Sequence, residues 1–244
     1  MSNSRLLDLA HDVIESEELP LDGNALQIVT LAPWQLWMAR HDEEYSRMVA
    51  AADATTIDGR WLGLILRLAR RPHAIVTGRG IVERYLSEPS WMDRVAVVGS
   101  SDEALVHLSQ KRPDWYATGG NFGRSVDEVR LAEIVAEIRA REIQIVFIAL
   151  GSPKQETWGR RIADEGSVCV IGVGGAVETA LGFKRRPPLI VQRLKMEWLY
   201  RTAQDPRRFV PRVMQALSII PPALIEALQL RMRESPQKIT EGSS

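Results

Sequence analysis

Three short stretches set chemistry-bearing side chains at the ends of apolar runs. Gly151-Ser152-Pro153-Lys154-Gln155-Glu156 follows the run Ile143–Leu150 and carries a hydroxyl, an amine, a carboxamide and a carboxylate. Gly151 lets the chain turn, and Pro153 suits a first helical turn. Gly172-Val173-Gly174-Gly175 ends the run Val168–Val173, and its missing Cβ atoms let a ligand approach the backbone. Ile57-Asp58-Gly59 places one carboxylate at the end of Ala54–Ile57, followed by a flexible residue. A carboxylate held there can take a proton from an attacking hydroxyl. The competing reading is an Asp-Gly turn with a solvated side chain. For Ser152–Glu156 the competing reading is a helix start with Glu156 as dipole partner, which leaves Lys154 and Gln155 unassigned. The glycine run also has a plain alternative, tight packing.

Several chemistries are disfavoured. The glycines miss the G-x-G-x-x-G spacing of a dinucleotide site, and no later acidic residue follows a strand. There is no Walker A pattern, no D-x-D pair and no His/Cys cluster, so neither a metal nor a cofactor is expected. His11, His41, His73 and His107 are scattered and read as structural or solvated. The single cysteine, Cys169, sits in an apolar run and cannot form an internal disulfide, as in a reducing cytoplasm.

The elements that must position these stretches follow from periodicity. Strands are expected at Leu26–Leu31, Ala54–Ile57, Arg94–Val98, Trp115–Thr118, Ile143–Leu150 and Val168–Val173. Helical spacing appears over Trp34–Ala52, Trp61–Arg71, the segment capped by Ser100 or Ser101 through Lys111, and Ser125–Arg141. Strand and helix alternate, and the last two apolar runs are nearly continuous. This predicts an α/β fold with a mostly parallel, Rossmann-like sheet and helices on both faces. Ligands bind at the carboxyl ends of such strands, where all three stretches fall.

Four segments are expected: a mobile lead-in over 1–24, a body over 25–186, a basic amphipathic helical appendage over 187–234 and a disordered tail over 235–244. Pro187–Gln204, Asp205–Ile220 and Ala223–Arg233 read as helical pieces broken by Asp205-Pro206 and Pro221-Pro222. Net charge is zero but unevenly placed. Residues 1–183 hold 19 Lys and Arg against 26 Asp and Glu; residues 184–233 hold 11 against 3. A cationic end on an acidic body points to an anionic partner there, a phosphate or a membrane surface; the acidic body argues against nucleic acid. The polar, acidic N-terminus does not read as a signal peptide, and no unbroken run of about 18 apolar residues suggests a membrane span.

GSPKQE (151–156), IGVGGAVETALGFKRRPP (171–188), MEWLYR (196–201) and DPRR (205–208), in this order and spacing, resemble the WecG/TagA/CpsF family of bacterial glycosyltransferases. The resemblance covers roughly Gly23 to Arg212. It implies a cytoplasmic enzyme, peripheral on the inner face of the plasma membrane, in cell-envelope or exopolysaccharide biosynthesis. It implies transfer of a sugar from a UDP-sugar donor to a polyprenyl-pyrophosphate-linked sugar, with inversion and without a metal. By resemblance Asp58 is the base, and Thr30, Gln155, Gly174 and Gly175 contact substrate. Arg186 is a further substrate contact, and Arg201 and Arg208 face the donor phosphates from an appendage that docks on the anionic membrane. A homo-oligomer is possible.

The chain departs from the family pattern in several places, among them the last appendage arginine, which falls near Pro211 with Arg212 one position late. Ala32 stands where the family has Asn, Trp61 where it has Gly, and Ile75 and Gly80 where it has Arg and Asp. The alternative is therefore a catalytically weak or silent homologue that serves as a membrane-peripheral binding partner of an assembly pathway.

Overall fold

A computed structural model describes residues 6–20, 25–88, 94–183 and 206–233, with backbone alone at 206, 208 and 209. Six strands form one parallel sheet: β1 (Leu26–Leu31), β2 (Ala54–Ile57), β3 (Val95–Gly99), β4 (Tyr116–Thr118), β5 (Ile145–Ala149) and β6 (Cys169–Gly172), in the order β2-β1-β6-β5-β3-β4. The helices are α1 (Pro33–His41), α2 (Glu43–Ala50), α3 (Arg60–Leu68), α4 (Gly78–Ser87), α5 (Asp102–Lys111), α6 (Glu128–Ala140), α7 (Lys154–Gly166), α8 (Ala176–Ala180), α9 (Pro206–Ser218) and α10 (Ile220–Arg233). The chain is α/β with a parallel Rossmann-like sheet, as the apolar runs imply.

Side chains alternate across the sheet as the strand period requires. Ile28, Val97, Phe147 and Ile171 point to one face and pack with α4, α5 and α8. Val98, Val146, Ile148 and Val170 point to the other, beneath α6 and α7. Val29, Leu31 and Ile57 share that second face with α1, α2, α3 and α10. Both faces are thus covered, so the strands read as apolar throughout.

Two expected elements differ. Trp34–Ala52 is two helices, because Asp42 leaves helical geometry and accepts a hydrogen bond from the Tyr45 amide, capping α2. Residues 6–20, expected as a mobile lead-in, are packed. Leu6, Leu7, Leu9 and Leu19 are buried, the Ile14 amide donates to Thr55 O at 2.8 Å, and Val13 bridges to the β2 edge.

Among the described residues one helical stretch, Val210–Arg233, is long and apolar enough to cross a membrane by length and composition, with a window of mean hydropathy 1.4. The expectation that there is no span rested on an unbroken apolar run, which this stretch lacks; an averaged window tolerates Gln, Ser and Pro. The stretch is two helices. Ile219, Ala223, Ala227 and Leu230 are buried against the body, and Glu226 accepts hydrogen bonds from the Leu6 and Leu7 amides at 2.9 and 3.0 Å. A face seated on protein in this way is what a core helix shows too.

Candidate active site

The sheet is wound so that β6 sends α8 to one face while its neighbours β1 and β5 send α1 and α7 to the other. A crevice therefore opens over the carboxyl end of β6, at the turn Val173–Gly175. The Val173 and Gly174 amides donate to Ile148 O at 2.9 and 3.2 Å, which fixes the turn against β5. Gly174 sits at φ +51° and Gly175 is the N-cap of α8.

From β5 the chain passes through Gly151 into α7, and Gln155 lies buried in the first turn. Its Nε2 donates to Ser152 Oγ at 3.3 Å and Glu156 Oε1 at 3.2 Å. Gly172 is bare because Gln155 fills the space its Cβ would take, 2.8 Å from Nε2. Across the turn, Gln155 Oε1 lies 3.7 Å from where a Gly174 Cβ would stand. The structure thus brings Gln155 and Gly174 together.

Glu156 is 2 % exposed in the first turn of α7. Its Oε1 accepts from Tyr45 Oη at 2.9 Å and Ser152 Oγ at 2.6 Å, while Gln27 Nε2 donates to its backbone carbonyl at 2.7 Å. Burial raises its carboxyl above the ordinary range, against the pull of these hydrogen bonds, and burial also raises Tyr45. This network ties β1, α2 and α7 together beneath the crevice. Glu156, Tyr45 and Ser152 were not assigned roles from sequence, since an acidic residue in a first turn has an adequate local explanation. Lys154 turns to the opposite side and donates to Phe122 O at 2.5 Å.

Asp58 lies on the other rim. Its amide donates to Leu31 O at 2.7 Å, and the half-buried residue is followed by Gly59 at φ +96°, a conformation that spares a residue without Cβ. Thr30 pairs in register with Thr56, and Ile28 with Ile171, so Thr30 lies between Asp58 and the β6 turn. Two strand spacings, about 10 Å, separate the rims. Gly175 is in the same turn as Gly174. Arg186 and Arg201 lie outside the described residues. Arg208 is described by its backbone in α9, one turn before Arg212, whose guanidinium lies 5.3 Å from the Trp34 ring in the first turn of α1.

Five buried oxygens at or next to these strand ends have no hydrogen-bond partner among the described residues: Thr30 Oγ1, Thr56 Oγ1, Ser100 Oγ, Gln155 Oε1 and Glu156 Oε2. Ser100 has φ +81°, uncommon for a residue with a side chain, and follows β3. Buried polar atoms are nearly always paired, so unpaired ones gathered near one sheet edge single out that edge as a candidate site. Thr56 and Ser100 carry no motif that would reveal them. Among the described residues no three His, Cys, Asp or Glu side chains gather as a metal site. Trp61 is 57 % exposed on α3, so it is not a core residue.

A model of the glycosyl transferase WecG/TagA/CpsF family matches residues 5–236 of the chain.

Proposed function

The chain belongs to the WecG/TagA/CpsF family of glycosyltransferases, and on that premise we propose an inverting, metal-independent transfer from a UDP-sugar to a polyprenyl-pyrophosphate-linked sugar. The family places the chain in cell-envelope polysaccharide biosynthesis. The observation that carries the finer reading is the set of unpartnered oxygens at Thr30, Thr56, Ser100 and Gln155 near the carboxyl edge of the sheet, with Gln155 beside the glycine turn. Hydroxyls and a carboxamide at that edge suit a ligand rich in hydroxyls, as a nucleotide sugar is.

Asp58 takes the proton of an acceptor hydroxyl, whose oxygen attacks the donor's anomeric carbon from the opposite rim. The bond to UDP breaks, and its electron pair leaves on the diphosphate. Helix N-terminal amides, with Arg201 and Arg208, stabilise that charge. Arg212 against Trp34 supports this role, because it seats α9 beside the end of β1. The basic C-terminal part then docks at the cytoplasmic face of an anionic membrane.

The test is transfer from a panel of UDP-sugars to a polyprenyl-pyrophosphate-linked sugar in excess EDTA, with the product anomer read by NMR. Inverted product at a rate within about twofold of that without EDTA is expected. Loss restored by Mg²⁺ or Mn²⁺ removes the metal-independent mechanism, retention removes the single displacement, and no transfer from any donor favours a silent homologue.

A further inference from the structure

A groove of about 680 Å³ runs along α3, away from the strand-end crevice. Arg60, Arg67, Arg70 and His73 line it together with Leu64 and Ile75. Its floor is apolar because Gly63 lets Ile75 close on the helix: a Cβ at Gly63 would meet Ile75 at 3.1 Å. No carboxylate belongs to this lining. Glu15 reaches the rim and pairs with His73 at 2.8 Å, while neighbouring Arg71, outside the groove, is matched by Asp8 at 2.9 Å. Leu64 and Ile75 are 54 % and 44 % exposed.

Two connections define where the groove leads. Arg60 follows Asp58 by two residues, and the Val76 amide donates to Ile57 O at 3.0 Å, so one end begins beside Asp58. Along its flank α3 packs against α10, which exposes Leu224, Ile225, Leu228 and Met232.

We propose that this groove, where arginines stand over an apolar floor between Asp58 and the exposed face of α10, binds the diphosphate and first prenyl units of the lipid-linked acceptor. Guanidinium groups hold phosphate oxygens by paired hydrogen bonds, and the hydrocarbon covers Leu64, Ile75 and α10. A free nucleotide has no hydrocarbon for that floor; a prenyl diphosphate matches both halves. The inference rests on the glycosyltransferase reading, which supplies the acceptor class.

Calorimetry on the full chain with farnesyl diphosphate, inorganic pyrophosphate and UDP tests it. Farnesyl diphosphate should bind about tenfold or more tighter than pyrophosphate. Arg67→Glu should weaken it about tenfold or more and leave UDP within about twofold. Leu64→Gln should weaken farnesyl diphosphate and spare pyrophosphate. Arg67→Gln replaces Arg67→Glu if the latter lowers the melting temperature. Equal binding of farnesyl diphosphate by wild type and the Arg67 variant overturns the proposal, as does pyrophosphate binding as tightly as farnesyl diphosphate. Failure of wild type to bind UDP or transfer sugar defeats the glycosyltransferase reading instead, and the farnesyl diphosphate titration still decides the groove.

Discussion

Gln155 lies so close to Gly172 that a Cβ on the glycine would stand 2.8 Å from its amide nitrogen and 2.9 Å from its carboxamide carbon. The glycine in β6 therefore sets the position of a side chain in α7. Gly172→Ala should push Gln155 out of the crevice, lowering kcat/KM about tenfold while costing about 1–3 kcal/mol of stability through overpacking. Adding Gln155→Ala should restore the melting temperature and leave activity low. Recovery of activity in the double variant would remove Gln155 from substrate contact.

The Asp58 amide donates to Leu31 O, and asparagine keeps the size of the side chain while removing its charge. Asp58→Asn should melt near wild type and lose roughly 100-fold or more in turnover, the scale of a general base. Near-normal turnover excludes that role.

Burial of Glu156 gives stability a pH dependence of definite sign. The folded state keeps the Glu156 proton to a higher pH than the unfolded chain, whose carboxyl titrates near its ordinary value. From that value up to the raised one, only the unfolded state loses the proton, so this group's contribution falls as pH rises. Glu156→Gln, which stays neutral and can still accept from Tyr45 and Ser152, should lack this decline and melt at or above wild type at pH 8. Parallel melting curves for the two proteins between pH 4.5 and 8 would show that Glu156 titrates normally.

The last helix is tied to the first residues through Glu226. Glu226→Ala leaves the Leu6 and Leu7 amides without that acceptor and should cost about 1–3 kcal/mol. Truncation after Gln204 also uncovers the core shared by Ile219, Ala223, Ala227 and Leu230, and should yield protein that aggregates or melts many degrees lower. A truncated body that melts like wild type means that α10 is a detachable appendage.

The strands and their direction were legible in the sequence, because a strand covered on both faces must be apolar at successive positions, as Ile145–Ala149 and Cys169–Gly172 are. The cap at Ser101 and the placing of Asp58, Gln155 and Gly174 at strand ends were legible for the same local reasons. Helix α4 was not: its first turn contains Gly78 and Gly80, which weaken a helical signal, yet Thr77 caps it and Ile81, Val82 and Tyr85 bury it. The burial of Glu156 was not legible, because burial is no property of a first-turn glutamate; it arises when Tyr45 arrives from α2 and Ser152 from the preceding turn. Thr56 and Ser100 became visible through register and topology, which place single hydroxyls from distant segments along one edge. The C-terminal helices illustrate the limit most plainly. Their apolar stripe has the same composition whether it meets lipid or protein, and the contacts of Ala223, Glu226 and Ala227 decide that one side belongs to the body.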